Sequence, residues 1–419
     1  MGKYRRPLRT ILMDTQSHWD NDKTRPAVRR AFGKTLRCRT FALGALLFAS
    51  DNELRLVPCT CKSRACPSCG QRGTIQWQRE QWAALPDIPY KGITLTMPNV
   101  LWPLFRQNRK LLACLPTLGA KVIENWAKEK YGVRLLTIIV PHTFGRHLTF
   151  NPHLHVMVSA VGLRESNCRV VPAFFNRDRL MRHWRRAIIR LLSEALKQGD
   201  LISETGEKDL EPMLAEQSER WWSVHVAHCK SKTHLVRYIG RYVRRPPIAE
   251  HRFEDISDDS VSFWTKDHRL QRRVETRYTK EQFVDLLSEH ILDDSRHAVR
   301  HYGLLSPRGK NHSLTLFFAL LGQRRRPRPQ RLSWAQSLRQ TFNRDPLVDG
   351  KGSQMRSFGR ITSEQVRELR LRLPHDFNLK ADLLVAIGPA ARQWLEEQSE
   401  YCDLAYRIWP ATGLCETRK

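Results

Sequence analysis

The 419-residue chain lacks any apolar run of about 18 residues, so its sequence predicts no membrane-spanning helix. Its first residues, MGKYRRPLRT, have no apolar stretch behind the basic ones, and we therefore expect no secretory signal. Acidic residues are scarce: 42 Asp and Glu stand against 71 Lys and Arg, for a formal net charge of +29. That imbalance disfavours a small-molecule enzyme and favours a polyanionic partner. Because the basic residues are spread along the chain, we expect nucleic acid and no membrane partner.

The composition that is present, 41% hydrophobic and 27% charged, is that of a globular protein with room for two or three domains. Shifts in composition predict five segments. They are a basic N-terminal arm (1–30), a cysteine-containing DNA-binding domain (31–86), a domain of strands and helices (87–305), an Arg/Pro-rich linker (306–332) and a helical C-terminal region (333–419).

Cysteines are clustered in the stretch CTCKSRACPSCG, at Cys59, Cys61, Cys66 and Cys69. Without an export signal, such a cluster indicates metal ligation more than disulfides. Cys66 and Cys69 lie across a tight turn, as in half of a zinc knuckle, whereas a redox dithiol would need a thioredoxin-like context that is missing. The second pair stays open, because Cys38 could replace Cys59. We predict a structural Zn²⁺ held by Cys59, Cys61, Cys66 and Cys69.

Two histidines occur in the predicted strand NPHLHVMV, residues 151–158. Side chains two apart on a strand share a face, so His153 and His155 point to one spot while Leu154 and Val156 face a core. The pair could bind a cation between its imidazoles, or the two rings could be satisfied core residues. Taken alone, the motif leaves both interpretations open.

Two tyrosines occur in the predicted helix LVRYIGRYVRRPP, where Tyr238 and Tyr242 lie one turn apart on one face. They could simply pack on a sheet. A phenol can also attack a phosphodiester, but its pKa near 10 makes it a weak nucleophile at neutral pH. A divalent ion on the histidines would polarise the phosphate. Four arginines would neutralise flanking phosphates, namely Arg237, Arg241, Arg244 and Arg245.

Together these motifs resemble the HUH (His-hydrophobic-His) rolling-circle endonucleases, and among them the two-tyrosine transposases of insertion sequences. NPHLHVMVSAVGL is similar to the HUH motif, YIGRYVRRPPI to the two-tyrosine motif and CKSRACPSCG to the N-terminal zinc segment. VPHTFGRHL and VRHYGLLS are similar to the stretches before and after them. The motifs occur in the family's order over residues 35–305, and such an ordered set is far more specific than any single motif.

The resemblance implies an α+β fold, with a ferredoxin-like or palm-like antiparallel sheet, a small N-terminal zinc-binding domain and a helical C-terminal tail. It implies that His153 and His155 bind a catalytic Mg²⁺ or Mn²⁺. It also implies that Tyr238 and Tyr242 are the nucleophiles, one forming a 5′-phosphotyrosine and the other acting in strand transfer. The implied partner is DNA, as single-stranded or hairpin element ends and as target, and the implied location is the bacterial cytoplasm, at the nucleoid.

The third catalytic metal ligand is open among His142, His147 and His234. We predict His234, because it lies one helical turn before Tyr238. His301 and Tyr302 could line the site or serve in packing. The family's upstream cysteine pair is replaced here by FASDN, which leaves the zinc ligand set open as well.

Two other functions fit parts of this pattern. A replication initiator or a conjugative relaxase would share the histidine strand, although the zinc segment favours a transposase. A non-catalytic zinc-containing DNA-binding protein would use both pairs for structure only, and it would form no covalent adduct with DNA.

Overall fold

The computed structural model describes residues 6–50, 53–204, 206–229, 231–243, 246–266, 271–294, 297–307, 312–371 and 383–386. The chain divides into two compact units, Met1–Arg29 with Gly73–Pro329, and Arg30–Arg72 with Gln330–Lys419. Among the described helices, none has the length and apolar character needed to cross a membrane.

Helices and strands are numbered along the whole chain. The helices are α1 (Pro7–Asp14), α2 (Gln16–Trp19), α3 (Pro26–Arg37), α4 (Gly70–Ala84), α5 (Trp102–Gln107), α6 (Arg109–Tyr131), α7 (Arg177–Lys197), α8 (Glu207–Glu219), α9 (Lys232–Val243), α10 (Lys280–Glu289), α11 (Ser313–Leu320), α12 (Trp334–Phe342) and α13 (Ser363–Leu371). The strands are β1 (Ala45–Ala49), β2 (Glu53–Pro58), β3 (Tyr90–Leu95), β4 (Leu136–Phe144), β5 (Phe150–Ser159), β6 (Val161–Arg164), β7 (Arg169–Pro172), β8 (Val224–Cys229), β9 (Phe253–Ile256), β10 (Ser260–Lys266), β11 (Arg273–Thr279), β12 (Arg300–Gly303), β13 (Arg356–Ile361) and β14 (Leu383–Ala386).

The first unit is built on an antiparallel five-stranded sheet in the order β12-β4-β5-β3-β8, with β5 in the middle. Successive side chains of a strand point to opposite faces, and here both faces are covered. Ile139 and Val156 pack towards α6 and α7, whereas Ile138 and Met157 pack towards α9 and α11. The α+β class predicted from the sequence is confirmed.

Helix α6 is the long partner of the first face. Pro116 lies inside this helix, which is continuous through it. A proline inside a helix removes one backbone hydrogen bond. The neighbouring side chain of Leu115 is buried in the same core, and this packing offsets the loss.

The N-terminal segment, expected as a loose basic arm, forms helices α1 and α2. Leu8, Ile11 and Leu12 recur at helical spacing and are buried, as is Trp19. The ammonium group of Lys280, on α10, lies 2.6 Å from Asp14 and fixes this segment to a three-stranded sheet of order β11-β10-β9. The few apolar residues of the segment therefore decide its structure.

The second unit contains a four-stranded sheet in the order β13-β1-β2-β14. Its core includes Leu47, Leu54 and Leu56 from the β1–β2 hairpin, with Val366 and Leu369 from α13. The C-terminal region, predicted to be helical, thus contributes strands as well. The sequence RSFGRI of β13 has no clear strand alternation, and it becomes a strand because it pairs with the edge of β1.

His290, at the end of α10, gives the first unit a pH-dependent stability. Its buried ring donates from Nε2 to the Leu148 carbonyl at 2.8 Å, and Nδ1 lies 3.2 Å from the Thr143 hydroxyl. Burial lowers the pKa of His290 from 6.5 to about 4. The unfolded chain therefore binds a proton at higher pH than the folded chain. The free energy of unfolding should fall by on the order of 3 kcal/mol as the pH decreases from about 6.5 to about 4.

Urea unfolding of wild type and His290→Gln at several pH values between 7.5 and 4 tests this expectation. The variant should lose much of the pH dependence over that window, while replacement of the exposed His312 by Gln should leave it unchanged. Identical pH dependence in wild type and His290→Gln would contradict the assignment.

Candidate active site and candidate metal centre

Three histidines converge at one end of the central sheet. The pairing of β4 with β5 sets His142 directly opposite His153 and Val140 opposite His155. Opposite residues of an antiparallel pair share a face, so the ring of His142 joins the two rings of β5. One ring nitrogen from each of the three lies within 4.8 Å of the others, and the Nε2 atoms of His153 and His155 are 3.2 Å apart.

The donor set of this histidine triad suits a divalent transition ion. Two nitrogens that share an ion at 2.0–2.1 Å lie about 3.0–3.4 Å apart, as observed for His153 and His155. His153 donates from Nδ1 to the Asn151 carbonyl at 2.7 Å, and His142 donates from Nε2 to the Tyr242 carbonyl at 2.9 Å. Each bond leaves the other ring nitrogen as a potential ligand. Burial lowers the pKa of His153, which favours the neutral form that binds metals. Imidazole donors suit transition ions, whereas Mg²⁺ prefers oxygen ligands.

Helix α9 covers the triad and presents both tyrosines to it. Its apolar residues Leu235, Ile239 and Val243 are buried on the sheet, and the same side of the helix carries Tyr238 and Tyr242. This amphipathic pattern explains why the helix lies flat on the strands.

Tyr242 makes the closer contact with the triad. Its ring stacks on His155 with 3.8 Å between centroids and lies 5.1 Å from the ring of His142. The ring of Tyr238 is 6.2 Å from that of His155 and 5.1 Å from that of Tyr242. The predicted pairs of histidines and tyrosines therefore meet at one place, with different positions for the two phenols.

Gly240, between the two tyrosines, allows α4 to approach α9. A Cβ atom at this position would lie 2.3–2.7 Å from side-chain atoms of Gln78, so a larger residue would require the Gln78 side chain to move. The Gln78 amide also donates to the Arg237 carbonyl at 3.4 Å. The glycine thus leaves room for the Gln78 side chain against the helix that carries the tyrosines.

The other predicted ligand candidates lie away from the triad. His234 is exposed in the first turn of α9, where its Nδ1 lies 3.1 Å from the Ser231 hydroxyl. It is eight residues before Tyr242, or about 12 Å along the helix axis. His147 is exposed in the β4–β5 turn, and its Nδ1 lies 2.9 Å from the Thr276 hydroxyl. The structure therefore groups His142, and not His234, with His153 and His155.

The turn of the β4–β5 hairpin gives no simple sequence signal for His142. Phe144 pairs with Phe150 across the turn, but the register shifts between Phe144 and His142, and this shift sets His142 opposite His153 where mirror counting from the turn would have placed Pro152. The spacing argument for His234 used only contacts within one helix. It missed a pairing between two strands.

The remaining predicted residues have different outcomes. Arg237 is exposed on α9, and Arg241 also lies on that helix. Arg244 and Arg245 lie outside the described residues. His301 is on β12, with its Nε2 3.3 Å from the Gln81 side-chain oxygen, whereas the Tyr302 hydroxyl lies 3.2 Å from Thr117 and its ring packs into the core on the opposite face.

In the second unit, a cysteine quartet brings together Cys38, Cys61, Cys66 and Cys69. The sulfur of Cys38 lies 3.4 Å from that of Cys69 and 3.6 Å from that of Cys66. Four sulfurs around one Zn²⁺ at 2.3 Å would lie about 3.8 Å apart, so the quartet needs little adjustment. Hydrogen bonding, first of all with the Cys38 thiol, lowers the pKa of Cys69 and favours the thiolate that zinc binds.

Cys59, which we predicted as a ligand, is not part of the quartet. Its backbone N–H donates to the Gly44 carbonyl at 2.9 Å, and its carbonyl accepts from Arg39 N–H at 3.0 Å. These bonds extend the β1–β2 hairpin through Cys59 and bring Cys38 to the sulfur cluster. The alternative in which Cys38 replaces Cys59 therefore matches the structure.

Comparison with known proteins adds an independent line of evidence. The family model described as "Putative transposase" (Y2_Tnp) matches residues 137–313, and the one described as "Transposase zinc-binding domain" (Zn_Tnp_IS91) matches residues 11–97. The first range includes the triad and both tyrosines, and the second includes the quartet.

Two relatives cover most of the chain. The "Transposase for insertion sequence element IS801" of Pseudomonas savastanoi pv. phaseolicola is 31% identical over 287 residues, which are 66% of this chain and 69% of that protein. "Putative transposase y4qJ" of Sinorhizobium fredii is 28% identical over 313 residues, 71% of this chain and 79% of that protein. No solved structure matches significantly.

The quartet predicts that Cys38 and Cys59 differ in zinc binding. Cys38→Ser should reduce the bound zinc per chain and lower the thermal unfolding temperature, because it removes one of four thiolates. Cys59→Ser should retain the zinc. Elemental analysis of purified, chelator-washed proteins measures this difference, and equal zinc loss in both variants would contradict the quartet.

The triad predicts a similar contrast for the second metal. In zinc-loaded protein, His142→Ala should weaken Mn²⁺ binding by roughly ten-fold or more, by analogy with losses seen even for outer-shell groups. His234→Ala should bind Mn²⁺ as wild type does. Calorimetric titration with Mn²⁺ distinguishes the two, and the reverse order would reinstate His234 as the ligand.

Proposed function

This chain belongs to the IS91-type transposases, the rolling-circle family of the IS801 protein, and from that premise we propose that it cuts single-stranded DNA at the element end through a tyrosine nucleophile. The observation that carries this proposal is the stacking of Tyr242 on His155, at 3.8 Å between ring centroids, inside the histidine triad. A phenol next to a cation site is the combination that phosphodiester cleavage by tyrosine requires.

Tyr242 makes the first attack in this proposal, because it contacts both His155 and His142. Its phenolic oxygen forms a bond to the scissile phosphorus, and the bond from phosphorus to the 3′ oxygen breaks. The released strand ends in a 3′-hydroxyl, which takes up the proton lost by the phenol through solvent. The products are a 5′-phosphotyrosine and a free 3′ end, and the covalent link conserves the phosphodiester bond for strand transfer without ATP.

His142, His153 and His155 hold the catalytic Mn²⁺ or Mg²⁺ in this proposal. When bound, such an ion polarises the phosphate and stabilises the charge that develops on it. The hydrogen bonds of His142 to Tyr242 and of His153 to Asn151 keep the rings in place before DNA arrives. These imidazoles therefore need little reorganisation on binding.

Tyr238 acts in strand transfer: its phenolic oxygen forms a bond to a phosphorus of the target strand, and the bond from that phosphorus to its 3′ oxygen breaks. The released target 3′-hydroxyl attacks the phosphotyrosine of Tyr242, which joins the element to the target and returns a proton to the Tyr242 phenol. The Tyr238 ring lies one helical turn from Tyr242 and edge-on to His155, so both phenols border the triad. Arg237, Arg241, Arg244 and Arg245 would neutralise the flanking phosphates. The DNA partners in this proposal are single-stranded or hairpin element ends and target DNA, at the nucleoid of a bacterial host.

The alternative functions differ in what supports them. A replication initiator or relaxase would form the same phosphotyrosine, but the match to a transposase zinc-binding domain over residues 11–97 favours a transposase. A non-catalytic DNA-binding protein would have no need for two phenols beside three clustered imidazoles, so this arrangement favours an enzyme.

Replacement of each tyrosine tests the proposal. With a labelled single strand carrying the element end and Mn²⁺, wild type should form a covalent adduct that persists on a denaturing gel. Tyr242→Phe should reduce the adduct by about 100-fold or more, since it removes the nucleophile. Tyr238→Phe should retain the adduct and lose strand transfer to a target strand.

The matched control is Tyr302→Phe, because this tyrosine packs on the opposite face of the sheet. It should behave as wild type in both assays. An absence of adduct from folded, metal-loaded wild type would contradict the catalytic proposal. Full activity of Tyr238→Phe, Tyr242→Phe and the variant with both changes would show that the tyrosines are not the nucleophiles.

A further inference from the structure

A surface of the β10–β11 hairpin, separate from the triad and the quartet, combines basic and aromatic side chains. Its register sets Lys266 opposite Arg273 and Trp264 opposite Glu275, so these four share one face. The other face of β10 carries Phe263, which is buried against α10. The face of Lys266 and Arg273 is therefore the solvent side of the hairpin.

Trp264 holds arginine side chains in place on this face. The guanidinium carbon of Arg273 lies 4.3 Å from the centre of the indole ring, and that of Arg252 lies 5.9 Å from it. The indole is itself fixed, because its Nε1 donates to the His251 carbonyl at 3.2 Å. A guanidinium stacked on an aromatic ring loses little further freedom when its N–H groups bind an anion.

Three cations of this surface have no carboxylate partner among the described residues. Within the described residues, Arg146, Lys266 and Arg273 form no ion pair with a carboxylate, and all three are exposed. Arg277, on the same face of β11, differs because it pairs with Glu275 at 3.5 Å. The hairpin thus carries Lys266 and Arg273 without an ion pair, and Arg277, four residues after Arg273, with one.

Hydrogen bonds join this surface to the turn between β4 and β5. Arg146 donates to the Lys266 carbonyl at 2.8 Å, Arg252 donates to the Arg146 carbonyl at 2.8 Å, and the Tyr278 hydroxyl donates to the His147 carbonyl at 2.9 Å. Arg146 is four residues beyond His142, which limits their Cα separation to about 14 Å. The basic surface therefore begins within about 14 Å of His142, measured between Cα atoms.

We propose that this surface, the hairpin patch, binds the single-stranded DNA that flanks the scissile phosphate. The patch consists of Arg146, Arg252, Trp264, Lys266 and Arg273. Its cations would contact phosphates, and the Arg273–Trp264 stack would lie against unpaired bases, a mode that a closed duplex does not offer. This inference rests on the proposed function, which places the scissile phosphate at the triad. The patch includes none of residues 267–270, which lie outside the described residues.

Equilibrium binding tests the hairpin patch without the cleavage chemistry. Anisotropy of a labelled single strand with the element-end sequence is measured in full-length, zinc-loaded protein without added Mn²⁺, over a range of salt concentrations. The double variant Lys266→Gln/Arg273→Gln should bind this single strand about ten-fold more weakly than wild type does. The slope of log affinity against log salt should become less negative by about 1.4, because each lost phosphate contact on a single strand contributes about 0.7 to its magnitude.

Two control variants separate this role from a general effect of charge or folding. Arg277→Gln removes a cation from the same face and should change the affinity less than two-fold, with an unchanged slope. Trp264→Ala should weaken binding as Arg273→Gln does, whereas Trp264→Phe should retain it because an aromatic ring remains under the guanidinium. Thermal unfolding temperatures identify any variant that is misfolded.

Three outcomes would overturn the hairpin patch: equal losses in Arg277→Gln and Arg273→Gln, an unchanged salt slope in the double variant, or an equal loss of affinity for the same sequence as a duplex. Failure of wild type to form the covalent adduct would contradict the cleavage proposal. The binding measurements would still test the hairpin patch, because they do not depend on cleavage.

Discussion

The register of the β4–β5 pairing is the constraint on which the candidate active site depends. A shift of one residue would move every side chain of β4 to the opposite face, and His142 would then point into the core under α6 and α7. Such a shift is costly here because both faces are packed: Ile138 belongs to one core and Ile139 to the other. The histidine triad is therefore a by-product of a register that two hydrophobic cores enforce.

Contacts remote from the phenols also position the tyrosines. At its start, α9 is held by Lys232, whose ammonium group donates to the Trp82 and Leu85 carbonyls at 3.1 and 3.0 Å and pairs with Asp87 at 2.7 Å. Near its end, the Tyr242 carbonyl accepts from His142 at 2.9 Å. These contacts at the two ends define where the helix lies along the sheet. The phenols need no interactions of their own to reach the triad.

The parts of the site that could be predicted from the sequence are those that depend on a single strand or a single helix. His153 and His155 follow from the two-residue period of a strand, and Tyr238 and Tyr242 from the turn of a helix. The family resemblance supplied the sheet class and the function, and the family comparisons confirm the transposase assignment. Where the sequence argument failed, the answer depended on contacts between distant segments.

His142 and Cys38 illustrate that limit. Each joins its site from a neighbouring element, one by strand pairing and the other from just beyond the C-terminal end of α3, where Arg39 adopts a positive φ of 55°. Local spacing favoured His234 and Cys59 instead, because residues close in sequence are the simplest chelating partners. The N-terminal helices and β13 were missed for the same reason, since their structure depends on the surface that receives them.

The two metal-type clusters differ in donor number and softness, and that difference separates their roles. Four thiolates complete the tetrahedral shell of a zinc ion and leave no position for a substrate, so the cysteine quartet suits a structural task. Three imidazoles leave coordination positions open, and the triad lies where two phenols border it. Harder oxygen ligands, such as those of a phosphate, fill open positions on a divalent ion with imidazole ligands. The donor sets therefore suit a structural ion at the quartet and leave coordination positions open at the triad.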